Sequence, residues 1–126
     1  MNIQTLNPAT LAPPGGHYSH AVVAAGMVFV SGQLPITAGG QRLNDQPFEA
    51  QVVLVLHNVE AALTAGGSDK TRLVQVRVYV TDIALWPAFN ALYATWIGAH
   101  RPARAVVPVP QLHHGFLIEV EATAVV

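Results

Sequence analysis

The chain has 126 residues, of which 52% are hydrophobic and only 10% charged, six Lys and Arg against seven Asp and Glu for a net charge of -1. That balance lacks the basic footprint of a nucleic-acid binder, and so few charges leave an apolar surface that self-association would cover, so a homo-oligomer is expected. There is no cysteine, which removes disulfides, thiolate metal sites and a cysteine nucleophile together.

No apolar run approaches the ~20 residues that cross a bilayer, and the N-terminus has no basic region followed by an apolar stretch. A cytoplasmic chain of one domain, residues 1–126, with no membrane partner is expected. Asn2 to Leu6 reads as a short first strand. Pro8 to Gly16, with three prolines and two glycines, is a loop. Ala21 to Ala24 and Met27 to Val30 are two apolar runs around Ala25 and Gly26, the pattern of a hairpin with a tight turn. Ser31, Gly32, Gln33 and Pro35 close it.

The period then changes. Phe48, Val52, Val55, Val59, Ala62 and Leu63 share one helical face, with Asp45 as the expected N-cap, Pro47 in the first turn, and Gly66 and Gly67 ending the helix. Leu73 to Thr81 alternates again, with Val74, Val76, Val78 and Val80 predicted on one apolar side. A second helix is predicted from about Leu85, with Phe89, Leu92, Tyr93, Trp96 and Ile97 at helical spacing and Gly98 at its end; its aromatics read as core. A strand opens at Arg104. A last one alternates Phe116, Ile118, Val120, Ala122, Ala124 and Val126 against Leu117, Glu119, Glu121 and Thr123. The order β-β-β-α-β-α-β-β predicts an α+β fold, a mixed sheet with both helices on one face.

Charge is scarce enough that each charged residue in a strand asks for a reason. Arg104 at the start of an apolar strand needs an anionic partner, because an unpaired buried charge is costly; Glu119 and a bound carboxylate are the two candidates. Six histidines raise the question of a metal, but the only adjacent pair, His113-His114, points two ways and no HxxxH or HExxH spacing occurs. No metal and no cofactor are expected.

Six motifs in order, Gly16-His17-Tyr18-Ser19-His20-Ala21-Val22, Phe29-Val30-Ser31-Gly32-Gln33-Leu34-Pro35, Val80-Thr81-Asp82, Phe89-Asn90-Ala91-Leu92-Tyr93, Arg101-Pro102-Ala103-Arg104 and Ile118-Glu119-Val120-Glu121-Ala122, resemble those of the RidA family of enamine/imine deaminases, over residues 13–126. The resemblance implies a chorismate-mutase-like protomer and a homotrimer with sheets inside, helices outside and sites in the clefts between subunits. It also implies hydrolysis of 2-iminoacids to 2-oxoacids and ammonia, with no cofactor. By the same resemblance Tyr18 closes the pocket from a neighbouring subunit, Ser31 and Gly32 form its wall, and Asn90 lines or supports it. His17 and His20 stand where family members often have Pro and Gln, Val106 where many have Cys, and His113-His114 where Pro-Lys is common. Histidines at the cleft point to a larger or more acidic substrate.

The residue chemistry runs parallel to that implication. A planar guanidinium holds a carboxylate by two parallel hydrogen bonds, which assigns Arg104 to the substrate carboxylate. A carboxylate within reach of a water and of the imine can move the protons, which assigns Glu119 to acid–base work. Two function classes follow: an imine deaminase, and a non-catalytic trimer that binds small carboxylates or a partner protein in the same clefts. Arg104 serves both; only the first needs Glu119.

Overall fold

The computed structural model describes residues 2–126. Its elements are β1 (Ile3–Leu6), β2 (Ala21–Ala24), β3 (Met27–Gln33), α1 (Phe48–Ala65), β4 (Leu73–Val80), α2 (Trp86–Ile97), β5 (Ala103–Pro108) and β6 (Ile118–Val125). This is the predicted order. The six strands form one mixed sheet in the order β1-β2-β3-β6-β4-β5, parallel only between β4 and β5, where α2 makes the crossover.

The β2–β3 turn is as tight as expected: Ala25 and Gly26 both have positive φ, 51° and 74°, the two-residue geometry whose twist matches the flanking strands. All six apolar residues assigned to one face of α1 are buried, as are Phe89, Tyr93 and Ile97 of α2. They close a single core with Val28, Val30, Val76, Val78, Val80, Ile118 and Val120 of the sheet. Emptying the place of fully buried Phe89 by an alanine would cost about 3–5 kcal/mol. Gly66 lets α1 end against β3, since a Cβ there would lie 2.8 Å from both Val28 methyl groups.

Two local expectations are corrected. Asp45 does not cap α1; Pro47 is the N-cap residue and no side chain caps the helix. An N-cap at residue 45 would bond to the amide of residue 47 or 48, and Pro47 has no N–H. Val74 is 46% exposed although Val76, Val78 and Val80 are buried. The pairing with β6 slips between Leu73 and Gln75, so Leu73 takes the core position and Val74 is turned out.

Paired residues share a face, so the ladders sort the sheet into two sides. The helix side carries the core. The opposite side carries Ile3, Val22, Phe29, Thr123, Glu121, Glu119, Tyr79, Arg77 and Val107, and no element of the protomer covers Phe29, which is 46% exposed. No helix among the described residues is long and apolar enough to cross a membrane.

Candidate active site

Arg104 stands on β5 level with Val76 of β4, and so points to the helix side. β5 is an edge strand, which leaves the guanidinium half-buried rather than sealed in the core. Its Nη1 donates to Asn90 Oδ1 at 3.0 Å, and the cation lies 4.9 Å from the Tyr93 ring centre and 5.8 Å from that of Phe89. Phe89 and Asn90 each lie one turn before Tyr93 on α2, at i,i+4 and i,i+3, so the helix side that faces β5 aims the group. Arg104, Asn90 and Tyr93, with Ala94, Ile97, His100, Arg101 and Pro102, border a cleft of about 470 Å³ that no acidic side chain among the described residues lines.

Glu119 is on the other side. It pairs with Tyr79, three positions along β4 from Val76, which is roughly 10 Å at 3.3 Å per residue. Arg104 and Glu119 are therefore separated along the sheet, across one intervening strand, and by the sheet itself. The expected Arg104–Glu119 pair does not form within a protomer, and among the described residues Arg104 meets no carboxylate within salt-bridge distance. An edge strand and opposite pleat parity keep them apart.

What Glu119 does meet is Gly32. β3 bulges between Val30 and Gln33, so that Ser31 and Gly32 together oppose Glu121. A Cβ on Gly32 would collide with Glu119 Oε2 and lie 3.0 Å from its Cδ. Glycine is required here for close approach rather than for a turn. Burial holds the Glu119 carboxyl above its ordinary pKa, with nearby Glu121 adding to the rise and His113 opposing it. Glu121, on the same face, accepts a hydrogen bond from Tyr79 OH, and that bond raises the tyrosine's pKa ahead of burial.

Ser31 Oγ donates to the Ser19 carbonyl at 2.6 Å, which ties the bulge to the loop that carries Tyr18. Tyr18 is 47% exposed, its ring set edge-on to His20 at 5.9 Å. The fold thus gathers the sequence candidates into two groups: Arg104 with Asn90, and Glu119 with Gly32, Ser31 and Tyr18. His20 is not a cleft residue. It is buried and hydrogen-bonded within the protomer, so it takes no part in selecting a larger substrate.

Sequence reasoning missed Tyr93 and Phe89 as the bed of the guanidinium, reading them only as core. Their spacing around Asn90 was the available signal. It also missed His113 beside Glu119, which only the turn before β6 reveals. Among the described residues no cluster of three His, Cys, Asp or Glu could hold a metal.

The two groups of residues and the sheet order can be set against known proteins. The family model described as endoribonuclease L-PSP matches residues 9–126. The chain belongs to that family, the RidA family. It is 35% identical over 107 residues to the protein HMF1 of Saccharomyces cerevisiae, covering 85% of this chain and 82% of that one. RidA from the Antarctic bacterium Psychrobacter sp. PAMC 21119 superposes with a TM-score of 0.92 at 28% identity, over 98% of this chain and 99% of the other. The E. coli TdcF crystal structure with bound serine gives 0.91 at 28%, over 98% of each. Membership fixes the fold and the order of motifs.

Proposed function

We propose that this RidA-family protein is a cofactor-independent deaminase that hydrolyses 2-iminoacids, formed from 2-aminoacrylate-type enamines, to 2-oxoacids and ammonia in the cytoplasm. The observation that carries the reading is Arg104: a guanidinium held by Asn90 and two aromatic rings at a cleft of about 470 Å³, with no carboxylate among the described residues within salt-bridge distance. A substrate carboxylate supplies the missing charge through two parallel hydrogen bonds. The serine in the TdcF structure is an α-amino carboxylate, a chemical relative of a 2-iminoacid, and supports the same class.

Because Glu119 faces the other side of the sheet, the complete site is built from two copies, Arg104 and Asn90 from one and Glu119, Gly32, Ser31 and Tyr18 from its neighbour. A homotrimer with the open sheet faces inward buries exposed Phe29 and closes that site. Light scattering should give about three times 13.4 kDa.

In the reaction, the Glu119 carboxylate takes a proton from a water as the water oxygen bonds to the imine carbon. The same carboxyl returns that proton to nitrogen to give a carbinolamine, then takes the hydroxyl proton and passes it to the amino group as the C–N bond breaks, so that NH3 leaves and the hydroxyl oxygen becomes the carbonyl of the 2-oxoacid. A carboxyl with a raised pKa is a stronger base once ionised and holds a proton long enough to deliver it. The composition does not favour the family's endoribonuclease description, since six basic residues against seven acidic ones lack the excess positive charge that draws a phosphate backbone.

The test is ammonia release from iminoacids generated in situ by an amino-acid oxidase. Acceleration over the spontaneous rate is expected. Binding of a 2-oxoacid without acceleration would leave the non-catalytic carboxylate-binding trimer as the function.

A further inference from the structure

His20 is 92% buried by its 8% exposure, yet it makes four hydrogen bonds that join three separate segments. Its Nε2 lies 2.7 Å from the Ala12 carbonyl, an acceptor only, so Nε2 carries the proton. Its Nδ1 lies 3.2 Å from Gln33 Nε2, a donor only, so Nδ1 is bare. The other proton of that Gln33 amide goes to the Ser31 carbonyl at 3.1 Å, which fixes which end of the amide is nitrogen. The backbone joins in: His20 N–H donates to Asn7 Oδ1 at 2.9 Å, and the His20 carbonyl accepts from Ser31 N–H at 2.9 Å.

Both ends of the site's Glu119 half are held by this clasp. On one side Ser31 and Gly32 form the bulge against which the Glu119 carboxylate lies. On the other, Tyr18 and Ser19 precede His20 directly, and Ser19 accepts from Ser31 Oγ. A bulge leaves its residues without ladder partners, so its shape must be set by other bonds. Here those bonds converge on one imidazole and one amide.

We infer that His20 and Gln33 are positioning residues for the site: the neutral, Nε2-protonated imidazole clasps the Tyr18 loop to the Ser31–Gly32 bulge and so sets where Glu119 meets the substrate. This rests on the reading of Glu119 as the proton-transfer group. The role belongs to two hydrogen bonds rather than to an aromatic ring, because a glutamine amide offers the same pair, an N–H for Ala12 and a carbonyl for Gln33. The chemistry predicts that His20→Gln is tolerated and His20→Leu is not.

The experiment compares wild type, His20→Leu and His20→Gln by three readouts. Nitrogen NMR of the wild type reports the tautomer, hydrogen exchange reports the Ser31 amide, and steady-state kinetics with 2-iminopropanoate reports the site. Expected are a protonated Nε2 with bare Nδ1, and in His20→Leu a Ser31 amide exchanging roughly 10- to 100-fold faster, as two lost neutral hydrogen bonds allow. The kcat should fall about as far with KM less affected, and His20→Gln should restore both within about threefold. An Nδ1-protonated tautomer, a leucine variant unchanged in both readouts, or a glutamine variant as poor as leucine would each overturn the inference. Absence of turnover in the wild type would instead overturn the deaminase reading, and the tautomer and exchange data would still decide the clasp. If the leucine variant does not fold, the wild-type tautomer and His20→Gln decide.

Discussion

Arg104 and Glu119 belong to one sheet, but their surroundings differ in kind. The arginine is braced by its own protomer: Asn90 accepts from it, and Tyr93 and Phe89 lie beneath it. The glutamate is braced only from behind, by a glycine bulge that lets it come close, and its charge is opposed by burial and by Glu121. One is a cation with its anionic partner still to be supplied; the other is a carboxyl whose burial raises its pKa, on a sheet face that no described element covers. The two do not meet within one chain, so the proposed reaction requires that a neighbouring copy bring them together.

The largest effect should come from removing the base. Glu119→Gln is expected to lower imine hydrolysis by roughly 10²- to 10⁴-fold while pyruvate still binds, measured by single-turnover ammonia release and by titration. Equal loss of pyruvate binding would mean that the two regions are not functionally separable. Gly32→Ala comes next: the added methyl should displace the Glu119 carboxylate, and a misplacement of about 1 Å costs on the order of 10²-fold in kcat with the fold intact.

Arg104→Lys replaces a bidentate fork by a point charge and should weaken pyruvate binding and kcat/KM by roughly 10- to 10²-fold, from the about 1.5–3 kcal/mol of hydrogen bonds to charged groups. Near wild-type affinity in the folded variant would remove the clamp from the account.

Glu119 also sharpens the comparison through pH. Its folded pKa is raised, so the folded state keeps a proton that the unfolded chain has already released. Its contribution to stability is therefore most favourable below the unfolded pKa and declines as pH rises to the folded value. Urea unfolding should show Glu119→Gln flattening that decline, and kcat/KM of the wild type should rise with pH through the same raised value. The smallest effect is expected from Glu121→Gln. It weakens the bond from Tyr79, costing about 1 kcal/mol, and leaves turnover per folded site little changed.

Much of this could be read in the sequence because hydrophobic period is a local property. The α1 stripe from Phe48 to Leu63 and the alternation of β6 each state their own burial, and Ala25-Gly26 states its own turn. Val74 and Asp45 failed for equally local reasons, a bulge set by the neighbouring strand and a missing proline N–H. The candidate site was legible only as a set of residues, not as an arrangement. That Arg104 and Glu119 lie on opposite faces depends on strand order and pleat parity across β5, β4 and β6, which no single segment encodes. His20 was misread for a similar reason: its partners Ala12 and Gln33 lie on either side of a loop and a hairpin.

The central claim is that one working site takes Arg104 and Glu119 from different copies, and subunit complementation tests it directly. Arg104→Ala and Glu119→Gln are each made, shown to be inactive, then mixed in equal amounts, unfolded and refolded together. No chain in the mixture carries both residues. If the site is shared between neighbours, random assembly gives about one site in four both groups, and ammonia release should return to about a quarter of the wild-type rate. Activity no higher than that of the two parents would contradict the account and place the chemistry within a single protomer.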